Sequence, residues 1–194
     1  MIRAIEFLLL YSLLSVLAIA GIIFIWPVFL VRHAWTLLRN GLPTLAPAAV
    51  LLACDIASKQ IATDKLANRP AVPLVEGLLS LEYTRNYGAA FGIFQHQQWL
   101  FVLVAVTAGI IIFILSINGQ PKPAYLRVAY GFLLSGALGN LRDRVCFGFV
   151  IDFIHLKGFP VFNVADLSID IGLGLIFWYI LNEEKRACIR KSSD

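Results

Sequence analysis

Residues Trp99 to Ile117 read WLFVLVAVTAGIIIFILSI, a run without a single charged side chain. A helix needs about 20 predominantly apolar residues to cross the hydrocarbon core of a bilayer, so this stretch sets the fold class as helical and membrane-spanning. Working outward, Asn118-Gly-Gln-Pro-Lys-Pro123 is a polar turn, and Ala124 to about Leu141 reads as the next span, with Arg127 able to snorkel to the interface. A last span is expected from near Asn163 to about Asn182, followed by a charged cytoplasmic tail at 183–194. On the other side, Leu42 to Ala57 is a further apolar segment with Pro43 and Pro47 in its first turns. Phe7 to Val31 is another uncharged run, long enough to cross with some tilt. Within it, Ala18-Ile19-Ala20-Gly21 has the small residues of a leader cleavage site, but hydrophobicity continues to Val31 and only Arg3 precedes it, so a retained helix is expected.

Composition agrees. The 194 residues are 59% hydrophobic and 14% charged, with mean hydropathy +0.80, whereas soluble domains average about a quarter charged residues. The net charge of +4 comes from Lys and Arg beside apolar runs, which is the positive-inside pattern and not a nucleic-acid-binding patch. By that rule the Lys122 turn, the Arg32–Arg39 linker and the tail face the cytoplasm. Residues 60–98 and 142–162 then face outward, together with the N-terminus. Cys54, Cys146 and Cys188 have neither metal-site nor disulfide spacing and read as small apolar filler. In the outer segments, Leu79, Leu81 and Tyr83 alternate with polar residues as in a strand, and the aromatic and β-branched stretch Phe147–Phe162 can supply partner strands. A small sheet at the outer membrane surface follows.

The chemistry resides in acids. Asp143, Asp152, Asp166 and Asp170 crowd one short stretch, and carboxylates in a membrane protein mark proton, ion or substrate sites. Asn163, Asp166 and Asp170 recur at helical spacing and share a face, and a short connection lets Asp152 meet Asp166 at the outer rim. Apposed carboxyls in a poorly solvated site cannot both ionise, so one keeps a proton while the other serves as base toward water. Asp170, one turn deeper, is expected to stay protonated beside them. Other catalytic sets are missing: there is no HExxH, His33, His96 and His155 are scattered, and adjacent Ser58 and Lys59 diverge by about 100° on a helix. The rival class, a carrier or lipid-binding scaffold with ion-carrying acids, would be favoured by an inverted repeat, and none stands out.

Five ordered segments carry a resemblance: Asp55-Ile-Ala-Ser-Lys59, Arg85-Asn-Tyr-Gly-Ala-Ala-Phe91, Gly136-Ala-Leu-Gly-Asn-Leu-Arg-Asp-Arg144, Gly148-Phe-Val-Ile-Asp-Phe153 and Phe159-Pro-Val-Phe-Asn-Val-Ala-Asp166. Together they resemble the motifs of lipoprotein signal peptidases, over roughly residues 42–182. The resemblance implies a bacterial inner-membrane aspartic endopeptidase, active near the periplasmic face, which cuts diacylglyceryl-modified prolipoproteins just before the lipidated cysteine. It implies Asp152 and Asp166 as the catalytic pair. Asn86, Asn140, Arg144 and Asn163 then line the site or hold substrate, with Asp55 and Lys59 as a pair that is either scaffold or substrate contact. No metal or organic cofactor is implied; the partners are prolipoprotein and membrane lipid, and the chain is expected to be a monomer. The expected architecture is an all-α bundle of four family helices with a small outer sheet. Residues 1–41 add one extra N-terminal span and linker, 42–182 form the peptidase-like domain, and 183–194 the tail. Tyr87, Leu167 and Asp170 depart from the family pattern without removing a catalytic group.

Overall fold

The computed structural model describes residues 26–88, 94, 97–117 and 123–192. Helix α1 spans Trp26–Leu66, with Pro43 and Pro47 inside it. Strands β1 (Val72–Val75) and β2 (Leu79–Asn86) follow, then helices α2 (Gln98–Ile117) and α3 (Ala124–Phe147), strand β3 (Val150–Leu156) and helix α4 (Val164–Ser192). The segment Arg32–Arg39, expected as a linker, is therefore helical backbone continuous with the span that follows. The physical reason is plain: its charges mark a membrane boundary, but from Val28 to Asn40 no proline or glycine interrupts the helix. Most of the run Phe7–Val31 lies outside the described residues.

Among the described residues, Gly41–Leu66, Gln98–Ser116 and Val164–Arg190 are long and apolar enough to cross a membrane. Helix α3 is long enough but more polar, because it packs against α1, α2 and α4 and turns its polar residues inward, burying Ser135, Asn140 and Asp143. Its small residues allow close approach, as they do between membrane helices generally. A Cβ at Gly139 would fall on the Asp55 carboxylate and press on Ala165, so α1, α3 and α4 converge on that glycine. The apolar core of this bundle is Ala48, Ile112, Leu126, Tyr130 and Leu134. Thr44 adds a polar tie, its hydroxyl donating to the Arg127 carbonyl at 3.1 Å.

The sheet is antiparallel throughout, in the order β1-β2-β3. The alternation seen at 79–84 is β2, extended to Asn86, and β3 falls inside the aromatic stretch expected to supply it. Two devices connect it to the bundle. Gly148 ends α3 in the left-handed conformation (φ 77°), its N–H bonding the Arg144 carbonyl at 3.0 Å, which reverses the chain into β3. After β3 the chain turns back on itself and Phe162 pairs with Ile154. That return delivers Asn163 and the start of α4 beside Asp152. A second apolar cluster, Ala62, Leu66 and Phe153, packs the end of α1 against the sheet.

Candidate active site

Asp152 and Asp166 reach the site from different elements. Asp152 is on β3, where Thr84 is its register partner and Asn86 pairs with Val150, so Asn86 lies on the same face at the diagonal position. Its amide donates to Asp152 Oδ2 at 2.9 Å, and its own carbonyl oxygen accepts the Gly88 N–H at 2.9 Å. Asp166 is in the first turn of α4, and Asn163 precedes the helix. The two form a reciprocal capping box: the Asp166 N–H donates to Asn163 Oδ1 (2.9 Å) and the Asn163 N–H donates to Asp166 Oδ2 (3.1 Å).

That cap fixes the Asn163 side chain. With its oxygen committed to the helix, its amide nitrogen points at β3 and donates to Asp152 Oδ1 at 2.6 Å, also approaching Asn140 Oδ1 (3.2 Å) and the Ile151 carbonyl (3.3 Å). One fully buried asparagine therefore bridges both acids. Asn140, from α3, completes the set by donating to Asp166 Oδ1 at 2.7 Å. Each of the four carboxyl oxygens thus accepts an N–H, which holds both groups in one rotamer.

Behind this layer lies a buried ion cluster. Lys59 is 1% exposed; its ammonium donates to Asn140 Oδ1 (3.1 Å) and forms ion pairs with Asp55 Oδ2 and Asp143 Oδ2, each at 2.9 Å. Asp55 also accepts the Ala165 N–H near the start of α4 at 2.9 Å, and Asp143 accepts the Ile151 N–H at 3.3 Å. Arg142 supplies the second positive charge, 3.1 Å from Asp143. Two cations thus face two anions, which is how buried charge becomes tolerable. Asp143 therefore has Lys59 and Arg142 as ion partners and the Ile151 N–H as a backbone donor. Asp55 and Lys59 are four residues apart on one helix, which suits their bridge, yet nothing local reveals that Lys59 also reaches α3, since that contact joins residues far apart in the chain.

Arg144 stands apart from this cluster. Its guanidinium lies over the Phe101 ring, 4.7 Å from the centroid, and donates weakly to the Gly88 carbonyl (3.3 Å) and the Asn140 carbonyl (3.4 Å). Gly88, which tethers both Asn86 and Arg144, was not picked out by sequence reasoning. A cavity of about 650 Å³ opens beside these groups. Asn86, Asn140, Arg144, Asp152 and Asp166 line its polar end, and it extends along apolar residues of α2 and α4. Asp170 lines it as well. Asn163 lies behind the wall, and Asp55, Lys59 and Asp143 lie in the layer beneath. Burial, and then the neighbouring Asp166 charge, pushes the Asp152 carboxyl up to about 7. Among the described residues no cluster of His, Cys, Asp and Glu is arranged to hold a metal. The arrangement can do general acid and base chemistry on a group brought in from the apolar side.

Known proteins share this chain's pattern. The profile of the family described as signal peptidase (SPase) II matches residues 47–182. The lipoprotein signal peptidase of Moorella thermoacetica is 37% identical over 140 residues, covering 72% of this chain and 93% of that protein. That of Anoxybacillus flavithermus is 38% identical over 145 residues, covering 72% and 85%. A bacterial membrane enzyme solved by the in meso method at 2.3 Å superposes with TM-score 0.69 at 30% identity, over 74% of this chain and 90% of that one. A second, solved at 1.9 Å, gives 0.65 at 30% identity, over 71% and 92%.

Proposed function

The chain belongs to the signal peptidase II family, and from that premise we propose that it is an aspartic endopeptidase of the bacterial inner membrane, cutting diacylglyceryl-modified prolipoproteins before the lipidated cysteine. The observation that carries the reading is the bridging of Asp152 and Asp166 by Asn163 at the polar end of a cavity whose remainder is apolar. Such a site suits a substrate that is part peptide and part lipid. The scissile carbonyl lies at the polar end near the outer face, and the acyl chains remain among the helices.

In the reaction the pair holds one proton between two carboxyls. Asp152, whose carboxyl lies near 7, holds it below neutral pH, and Asp166 removes a proton from the attacking water while Asp152 protonates the carbonyl oxygen. When the tetrahedral intermediate collapses, the proton gained by Asp166 passes to the departing amine while Asp152 takes a proton back from a hydroxyl of the intermediate, which gives the carboxylic acid product and restores the pair. Asn86, Asn140 and Asn163 keep the acids oriented, and the Arg144 guanidinium at the rim holds substrate carbonyl or ester oxygens. The test is cleavage of a diacylglyceryl-modified prolipoprotein peptide by purified protein. Asp152→Asn and Asp166→Asn are each expected to fold and insert normally and to lose cleavage by at least about 10³-fold, since Asn keeps the shape but cannot exchange a proton. Normal cleavage by either variant removes the dyad.

A further inference from the structure

Each of the three asparagines of the site presents a side-chain N–H to an acid, and in each case a donor holds the oxygen of the same amide. For Asn86 that donor is the Gly88 N–H and for Asn163 the Asp166 N–H, both backbone groups at 2.9 Å. Asn140 takes its donor from a side chain: the Lys59 ammonium lies 3.1 Å from Asn140 Oδ1. The other donor to that oxygen, Asn163 Nδ2 at 3.2 Å, also reaches the Ile151 carbonyl (3.3 Å) and lies closest to Asp152 Oδ1 (2.6 Å), so its hold on Asn140 is the weaker one. An ammonium has donors and no acceptor, so only the oxygen of Asn140 can face it. The amide nitrogen is then turned toward Asp166, 2.7 Å from its Oδ1.

We infer that Lys59 is a positioning residue for cleavage, which fixes the orientation of the Asn140 amide and so presents an N–H to the acid that serves as base. The inference rests on the peptidase reading above. A carboxyl that is to take a proton from water has to be an acceptor, and an amide turned the other way would set its oxygen against the Asp166 carboxylate or require a proton there. Tying the helices together needs only Asp55 and Asp143, each 2.9 Å from the ammonium; the contact with Asn140 is additional to that. Lys59 is fully buried and does not line the cavity, so it acts through Asn140 and not on the substrate. The three groups of the relay come from α1, α3 and α4, and the orientation is set where those helices meet.

The test uses full-length enzyme, a diacylglyceryl-modified prolipoprotein peptide and two double variants, Lys59→Gln with Asp55→Asn and Lys59→Met with Asp55→Asn. Each removes one cation and one anion together, and Asp55→Asn keeps an oxygen for the Ala165 N–H. Gln and Met are similar in size, but Gln retains an N–H for Asn140 Oδ1 and Met has none. Rates are taken per inserted, folded molecule, so that lost yield does not enter. The double variant with Lys59→Met should lower kcat about 10-fold or more with KM within about threefold, the usual worth of one hydrogen bond to a charged group, and the one with Lys59→Gln should keep a kcat at least about threefold higher than that. Lys59→Leu takes the place of Lys59→Met should that variant fail to insert. Equal kcat in the two double variants, or a loss carried by KM alone, overturns the inference and leaves Lys59 as scaffold. Failure of the native enzyme to cut the lipidated peptide is a different result, and removes the peptidase reading instead.

Discussion

Asn163 shows how much one side chain can settle. Its oxygen caps α4 and its nitrogen reaches Asp152, so helix initiation and the relative placement of the two acids depend on the same amide. Asn163→Ala should cost about 1 kcal/mol or somewhat more as a lost cap, measured by thermal unfolding, and should cut kcat far more than that loss of stability implies. Asn163→Asp keeps the cap but sets a third acid beside the pair; its activity should be confined to lower pH than the native enzyme's. The native pH profile has a definite sign. Asp152 is raised from 3.8 to about 7, so the shared proton is present below that value and lost above it, and cleavage should decline as pH rises through about 7. Stability moves the same way for this group. The folded protein holds the proton more tightly than the unfolded chain between about pH 4 and about pH 7, so folding loses stability as pH rises across that window. A cleavage profile still climbing well above neutral pH would contradict the assignment of the proton to Asp152.

At the scale of elements, the site is a junction of helix ends and strand. Lys59 on α1 joins Asp143 on α3, and Asp55 on α1 joins the first turn of α4, so none of these three helices can shift without disturbing the layer beneath Asp152 and Asp166. Lys59→Met leaves two buried carboxylates short of a cation; loss of one partner from such a cluster costs roughly 3–5 kcal/mol. Expression yield and thermal unfolding in detergent should both fall, and Lys59→Met with Asp55→Leu should recover part of the loss. Gly139→Ala probes the same junction sterically. The Asp55 carboxylate that its Cβ meets is clamped by Lys59 and the Ala165 N–H and cannot swing aside, so destabilisation of about 1–3 kcal/mol is expected. Much of this was legible in the sequence because it is local. The span at Trp99–Ile117, the alternation of β2 and the helical spacing of Asp166 from Asn163 are periodicities that one stretch of chain carries alone. The four-residue strand β1, exposed along its length, has no such signature. The pairing of Asp143 with Lys59 and the position of Gly88 arise only when distant segments pack, and no local pattern encodes them.

At the scale of the whole molecule, the open question is what residues before the matched region contribute. The family match begins at residue 47, and every side chain of the site lies between Asp55 and Asp170. Within α1, the apolar crossing part begins at Gly41, whereas the chain is already helical at Trp26 and at about 1.5 Å per residue extends well beyond one hydrocarbon thickness. Arg32, His33 and Arg39 lie on that extension and outweigh Arg3 as inside-determining charge. The C-terminal tail, with Lys185, Arg186, Arg190 and Lys191, carries the same sign. Both boundaries are therefore expected in the cytoplasm, and the uncharged run beginning at Phe7 is expected to carry the N-terminus across to the outer side. Reporter fusions at the two ends are expected to read outside for the N-terminus and inside for the C-terminus. Removing residues 1–25 keeps the described helix α1 and takes away no residue named in the site, so cleavage should persist within about threefold of the full chain, a difference below the size of one typical hydrogen bond. If the shortened protein inserts correctly and yet cannot cut, the N-terminal run is part of the enzyme and the division at residue 41 is wrong.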